Sequence, residues 1–135
     1  MGRPLPADAL LGARVLVVDD DAEARELLET MLTYCGALVT VAGSASEALG
    51  ALARMLPDAV VCDIAMPEQD GYWFVRSLRG LPRERGGNLP VVAITAHGYA
   101  HGPDRTLPAG FQAHIAKPID PWELCRVLAS LIRKT

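Results

Sequence analysis

Five polar residues stand at the ends of apolar runs in this chain, and their types suit phosphoryl chemistry. Residues 14–18 run into Asp19 and Asp20, 59–62 into Asp63, 90–94 into Thr95, and 111–116 into Lys117. In a parallel sheet all carboxyl ends share one edge, and open α/β sheets bind their ligands outside that edge. Three carboxylates placed together repel and raise one another's pKa. A divalent cation removes the repulsion, and Mg²⁺ takes oxygen ligands and works beside phosphate. One Mg²⁺ and Lys117 would balance the charge of Asp19, Asp20 and Asp63. Lys117 is then a point charge for phosphate oxygens, and Thr95 a hydroxyl donor to them. Attack by the Asp63 carboxylate would give an aspartyl phosphate, a known form of nucleophilic catalysis.

The elements that must position these groups follow from the patterning. Residues 59–62, with a β-branched centre, read as a strand buried on both faces, and Pro67 and Gly71 turn the chain after Asp63. Residues 14–18 and 37–42 are further strands. Asp21 suits an N-cap for a helix whose stripe is Leu27, Leu28, Met31 and Leu32, with Gly36 just past its end. Ser44 and Glu47 make a capping-box pattern before Ala48, Leu49, Leu52 and Met55, and Pro57 stops that helix. Residues 71–81 form a third helix on Phe74, Val75 and Leu78, followed by a polar loop over 82–88. The segment 97–110 should hold a fourth helix. It contains Gly98, Gly102, Pro103 and Pro108, and an interior Gly costs about 1 kcal/mol and an interior Pro about 3. A short or irregular element is expected there. Asp120, Pro121 and Glu123 open the last helix, which buries Leu124, Val127, Leu128 and Leu131. The alternation of strands and helices predicts a parallel sheet with helices on both faces.

The totals agree with one small domain. The chain has 135 residues, 50% of them hydrophobic and 21% charged, with a net charge of −3. Such a balance gives no electrostatic footprint for nucleic acid and no polybasic membrane patch. No apolar run approaches the roughly 20 residues that cross a bilayer, and the first residues do not read as a signal peptide. Cys35, Cys62 and Cys125 read as buried thiols of a reducing compartment, so a cytoplasmic location is expected. Residues 1–13, broken by Pro4 and Pro6, read as a tail or linker before a domain over 14–135.

Val-Leu-Val-Val-Asp-Asp-Asp, Asp-Ile-Ala-Met-Pro-Glu-Gln-Asp-Gly, Ile-Thr-Ala and Ala-Lys-Pro-Ile together resemble the receiver domain of two-component response regulators, over nearly the whole chain. The resemblance implies a five-stranded parallel sheet in the flavodoxin-like order 2-1-3-4-5. It implies Asp63 as phosphoacceptor, Asp19 and Asp20 as the acidic pair holding Mg²⁺, and the Ala65 backbone carbonyl as a further metal ligand. Thr95 and Lys117 would contact the phosphoryl group, and the Lys117–Pro118 bond would be cis. The donor would be a phosphohistidine on a sensor histidine kinase or histidine phosphotransfer protein, the chain acting as a monomer or weak dimer without enzyme activity toward other substrates. In similar receivers the residues two after the phosphoacceptor and two after the Thr tune hydrolysis; here these are Ala65 and His97.

Two positions depart from the family pattern. The position three before Lys117, usually a Tyr or Phe that acts as a rotameric switch, is His114. The fourth helix, part of the usual output face, is rich in Gly and Pro. The motif around Lys117 is similar to receivers of hybrid histidine kinases, and no helix-turn-helix is expected. Other readings fit the residues less well. A dehalogenase-type phosphatase needs a second Asp at position 65, which is Ala. A dinucleotide site needs a glycine-rich turn after the first strand, where this chain has acids. A phosphorylation-independent interaction module with the receiver fold would be expected to lose one of the five site residues, and all are present. His97 and His101, four apart, are a weak metal pair, and Met66 and Trp73 read as packing residues.

Overall fold

The computed structural model describes residues 8–96 and 103–133. Strands β1 (Arg14–Val18), β2 (Leu38–Ala42), β3 (Ala59–Asp63), β4 (Val91–Thr95) and β5 (Ala113–Ala116) alternate with helices α1 (Ala22–Tyr34), α2 (Ala45–Arg54), α3 (Gly71–Arg79), α4 (Pro103–Ala109) and α5 (Pro121–Arg133). All strand pairs are parallel, and the order is β2-β1-β3-β4-β5. The expected sheet order therefore holds, with β3 at the centre.

Period-two alternation divides the core between the two faces of the sheet. Val15, Val17, Val61 and Ile94 pack with Leu28 and Leu32 of α1 and Leu124 and Leu128 of α5. Leu16, Val60 and Ala93 pack with Ala48 and Leu52 of α2 and Phe74 and Leu78 of α3. Each such Leu or Phe stabilises the fold by about 1.5–3 kcal/mol through burial, so these contacts fix which face each helix covers.

The helix starts follow their caps. Asp21 accepts from the Glu23 N–H and Ser44 from the Glu47 N–H. Gly36, just past α1, has φ +97, the left-handed conformation that glycine accepts at a helix end. The 82–88 loop contains a 3-10 turn at Arg83–Arg85.

Some expected boundaries and faces shift. Leu27 is 56% exposed and leaves the stripe of α1, while Met55 is the C-cap of α2 and 58% exposed. A helical apolar stripe is narrower than the run of apolar letters, and the residues at its margin face solvent. β5 begins at Ala113; Phe111 is instead buried against α3, its ring edge-on to Tyr72. Leu10, within the expected tail, is buried, and its N–H donates to the Cys35 carbonyl at 2.9 Å. α4 spans only seven residues and carries Pro108 near its end, as the Gly and Pro content of its sequence requires.

Candidate functional site

Asp19 is an extension of β1. Its N–H donates to the Ala42 carbonyl at 3.1 Å, which carries the β1–β2 ladder one residue past the strand. Its Oδ1 accepts from the Asp21 N–H at 2.9 Å, and Arg25 of α1 donates to its carbonyl at 2.8 Å. Backbone and carboxylate are thus fixed together. Asp19 is 1% exposed, and its Oδ2 is buried with no hydrogen-bond partner. Asp20, next along, is exposed.

Asp63 closes β3 and is buried. The chain folds back tightly behind it: the Gly71 N–H donates to the Ile64 carbonyl at 3.0 Å. A Cβ at position 71 would lie 2.9 Å from both the Asp63 carbonyl oxygen and the Ile64 Cα, so only glycine lets α3 start this close to the site. Asp70 caps α3 by accepting from the Trp73 N–H at 2.9 Å.

One carboxylate oxygen each from Asp19, Asp20 and Asp63 fall within 4.8 Å of one another. Burial, then the Asp19 charge, push the Asp63 carboxyl up to about 6, against the pull of Lys117 and of the Ala65 N–H. Burial also raises Asp19, opposed by its bond from Asp21 and by Lys117. The Lys117 Nζ lies 3.8 Å from Asp63 Oδ1, too far for a hydrogen bond and close enough for charge attraction. Lys117 is placed by its own N–H, which donates to the Thr95 carbonyl at 2.8 Å. The Lys117–Pro118 bond is cis. An all-oxygen donor set with an orphaned buried carboxylate oxygen fits a hard divalent cation.

Thr95 follows Ile94, the register partner of Asp63. It is 2% exposed, and its Oγ1 lies 2.9 Å from the Nε2 of His114. The sheet edge therefore brings Asp19, Asp20, Asp63 and Lys117 together, and sets Thr95 Oγ1 within hydrogen-bond distance of the His114 ring. Ala65 contributes its N–H to Asp63. Met66 is buried and Trp73 packs against the same core. His97 and His101 lie outside the described residues.

Several supporting residues escaped the sequence reading. Asp70 before Gly71 carried an N-cap signal. Arg25 carried none, because its partner is a backbone carbonyl. Arg79 of α3 donates to the Gly110 carbonyl at 2.7 and 3.1 Å, to the Gly87 carbonyl at 2.9 Å and to Gln112 Oε1 at 2.8 Å; nothing in its spacing announces that.

Residues 15–129 match the response regulator receiver domain, and the chain belongs to that family. Receiver domains are signalling modules of two-component systems. An uncharacterized 14.6 kDa protein of Leptolyngbya boryana is 46% identical over 114 residues, 84% of this chain and 86% of that protein. The crystal structure of a putative response regulator from Chloroflexus aurantiacus is 34% identical and superposes with a TM-score of 0.84, covering 90% of this chain and 98% of that one. The receiver domain of the sensor histidine kinase PA1611 from Pseudomonas aeruginosa is 31% identical, with a TM-score of 0.81 over 90% of this chain and 98% of that one; its structure has a magnesium ion coordinated in the active site cleft. The chain spans about half the length of several other curated relatives that it matches. Among the described residues no helix is long and apolar enough to cross a membrane.

Proposed function

We propose that Asp63 accepts a phosphoryl group from a phosphohistidine on a sensor histidine kinase or histidine phosphotransfer protein. The observation that carries this reading is the clustering of Asp19, Asp20 and Asp63 within 4.8 Å beside Lys117. It occurs at the carboxyl edge of the central strand, in a chain of the receiver family. An ionised Asp63 oxygen attacks phosphorus, the phosphorus–nitrogen bond of the donor breaks, and the donor imidazole leaves with the bonding electron pair. Lys117 draws a phosphoryl oxygen by charge. Thr95 offers a hydroxyl to another once it turns from His114.

Asp19, Asp20, Asp63 and the carbonyl of Ala65 would hold Mg²⁺. The orphaned Asp19 Oδ2 and the raised Asp63 carboxyl support that assignment, since each marks negative charge that the protein alone leaves uncompensated. When bound, Mg²⁺ supplies the positive charge that lets the carboxylates ionise together and accept an anionic phosphoryl group. Trp73, partly buried at the start of the helix that follows Asp63, serves as the fluorescence probe of binding. Asp20→Ala is expected to weaken Mg²⁺ at least tenfold, a loss of about 1.4 kcal/mol or more; unchanged affinity would remove Asp20 from the ligand set.

A further inference from the structure

β2 is the outermost strand on one side of the sheet, and among the described residues it pairs with β1 alone. The ladder shows which of its backbone groups are engaged. The Leu38 N–H donates to the Ala13 carbonyl at 2.7 Å, and the Ala42 carbonyl accepts from the Asp19 N–H at 3.1 Å. Successive residues of a strand turn their backbone groups to opposite sides, so Leu38, Thr40 and Ala42 face β1. Val39 and Val41 turn their N–H and C=O groups to the open side.

Such a row is a template for another strand, and soluble proteins blunt it with charges, proline, bulges or a covering segment. β2 reads Leu-Val-Thr-Val-Ala, without charge or proline, and its register with β1 runs unbroken. Nor is it covered: Leu38 is 52% exposed and Val41 39%, and Thr40 is exposed. Beside it, Leu38 and Thr40 share an open groove of about 470 Å³ with Arg54 and Met55.

The strand is complementary to a second copy of itself. In an antiparallel pair with a two-fold axis at Thr40, Val39 of each copy faces Val41 of the other. Each of these two facing pairs exchanges both of its outward N–H···O=C bonds, four bonds in all, and the two Thr40 residues meet as a non-hydrogen-bonded pair. Moving the axis to Val39 or Val41 brings in residue 37 or 43 instead. Their N–H groups are already engaged, Ala37 with the Leu32 carbonyl at 3.0 Å and Gly43 with the Glu47 carboxylate. The axis at Thr40 is therefore the register that uses every free group of both valines. It also sets α2 beside α2 of the second copy in the opposite direction. Arg54, at the end of that helix and in no ion pair among the described residues, then lies toward Glu47 at the start of the other.

We propose that the open edge of β2 is the interface of a two-fold dimer, in which the two five-stranded sheets continue into one. The contact closes on itself, as isologous interfaces do, and it stands apart from the phosphoacceptor reading of Asp63. Four backbone bonds and a few side chains make a small interface, so a Kd of roughly 10 μM to 1 mM is expected.

Sedimentation velocity of the full chain up to about 1 mM, with amide exchange followed by NMR, tests this. The expected result is a monomer–dimer equilibrium. The Val39 and Val41 amides should exchange more slowly as concentration rises, while those of Leu38 and Thr40, bonded to β1 in either state, should not change. Thr40→Lys and Thr40→Glu, each at an exposed position, set like charges face to face across the axis and should weaken the dimer at least tenfold. Mixing the two variants should restore a dimer with one copy of each. A chain that stays monomeric over the whole range overturns the proposal and leaves the edge to a strand of another protein. A dimer that both variants form as readily as the native chain, or growth into larger species, overturns it by placing the contact on another face.

Discussion

Asp63 is held where ionisation is costly. Its carboxyl has a folded-state pKa of about 6 against an ordinary 3.8, chiefly through burial and then the Asp19 charge. A raised carboxyl pKa means that the folded chain binds the proton more tightly than the unfolded one. Without a divalent cation, stability should therefore fall as pH rises from about 4 through about 6, by on the order of 2–3 kcal/mol. Asp19, raised by the same cause, acts in the same direction. Urea unfolding at a series of pH values in chelator checks this. Asp63→Asn should flatten the dependence and stabilise the cation-free chain; an unchanged slope would show that Asp63 ionises freely. At this scale the sequence was informative where a residue type and a strand end coincided, as at Asp19, Asp63 and Lys117. It did not show that the Thr95 hydroxyl is bonded to His114, because that contact depends on the β4–β5 register and not on spacing along the chain.

Among the elements, α4 departs most from an ordinary helix, and its C-terminal turn is tied down from outside. Arg79 at the end of α3 reaches the Gly110 and Gly87 carbonyls and Gln112. Gly110 has φ +122, and a Cβ there would lie 3.3 Å from Arg79 Cγ, so the turn that receives the guanidinium suits glycine in both conformation and space. Gln112 passes the link on by accepting from the Val91 N–H at 2.7 Å. Arg79→Ala should cost about 2–4 kcal/mol, since it leaves the part-buried Gly87 and Gly110 carbonyls without this donor. Arg79→Lys should recover little of that, because an ammonium cannot span the same fork. Chemical denaturation of both variants reads the difference, and a loss under about 0.5 kcal/mol, the level of an ordinary surface change, would show that the link is dispensable. The shortness of α4 was legible from Pro108 and the glycines. Its anchor was not, because the Arg79 partners are backbone carbonyls with no side-chain signature.

For the whole molecule, the alternating strand and helix pattern carried the layer arrangement, since buried β-branched runs and capped amphipathic helices admit few other packings. The N-terminal limit was harder to read. Pro4 and Pro6 suggested a tail, yet Leu10 is 2% exposed and packs in the α1–α5 core. A single buried Leu in a proline-broken stretch has no periodicity to announce it. Leu10→Ala should cost about 2–5 kcal/mol, measured by thermal or chemical unfolding; a neutral change would return residues 8–13 to the role of a loose tail. The proposed Mg²⁺ binding would link the site to global stability, because a ligand that binds only the folded chain stabilises it by about 2.7 kcal/mol at a hundredfold excess over its Kd.

The decisive measurement is intact-mass analysis after incubation with acetyl phosphate and Mg²⁺, with peptide mapping of the product. The expected result is one base-labile phosphoryl group located at Asp63, absent when Mg²⁺ is chelated and absent from Asp63→Asn. Equal labelling of Asp63→Asn, or an unlabelled native chain under conditions that keep it folded, would contradict the assignment of this site as a phosphoacceptor.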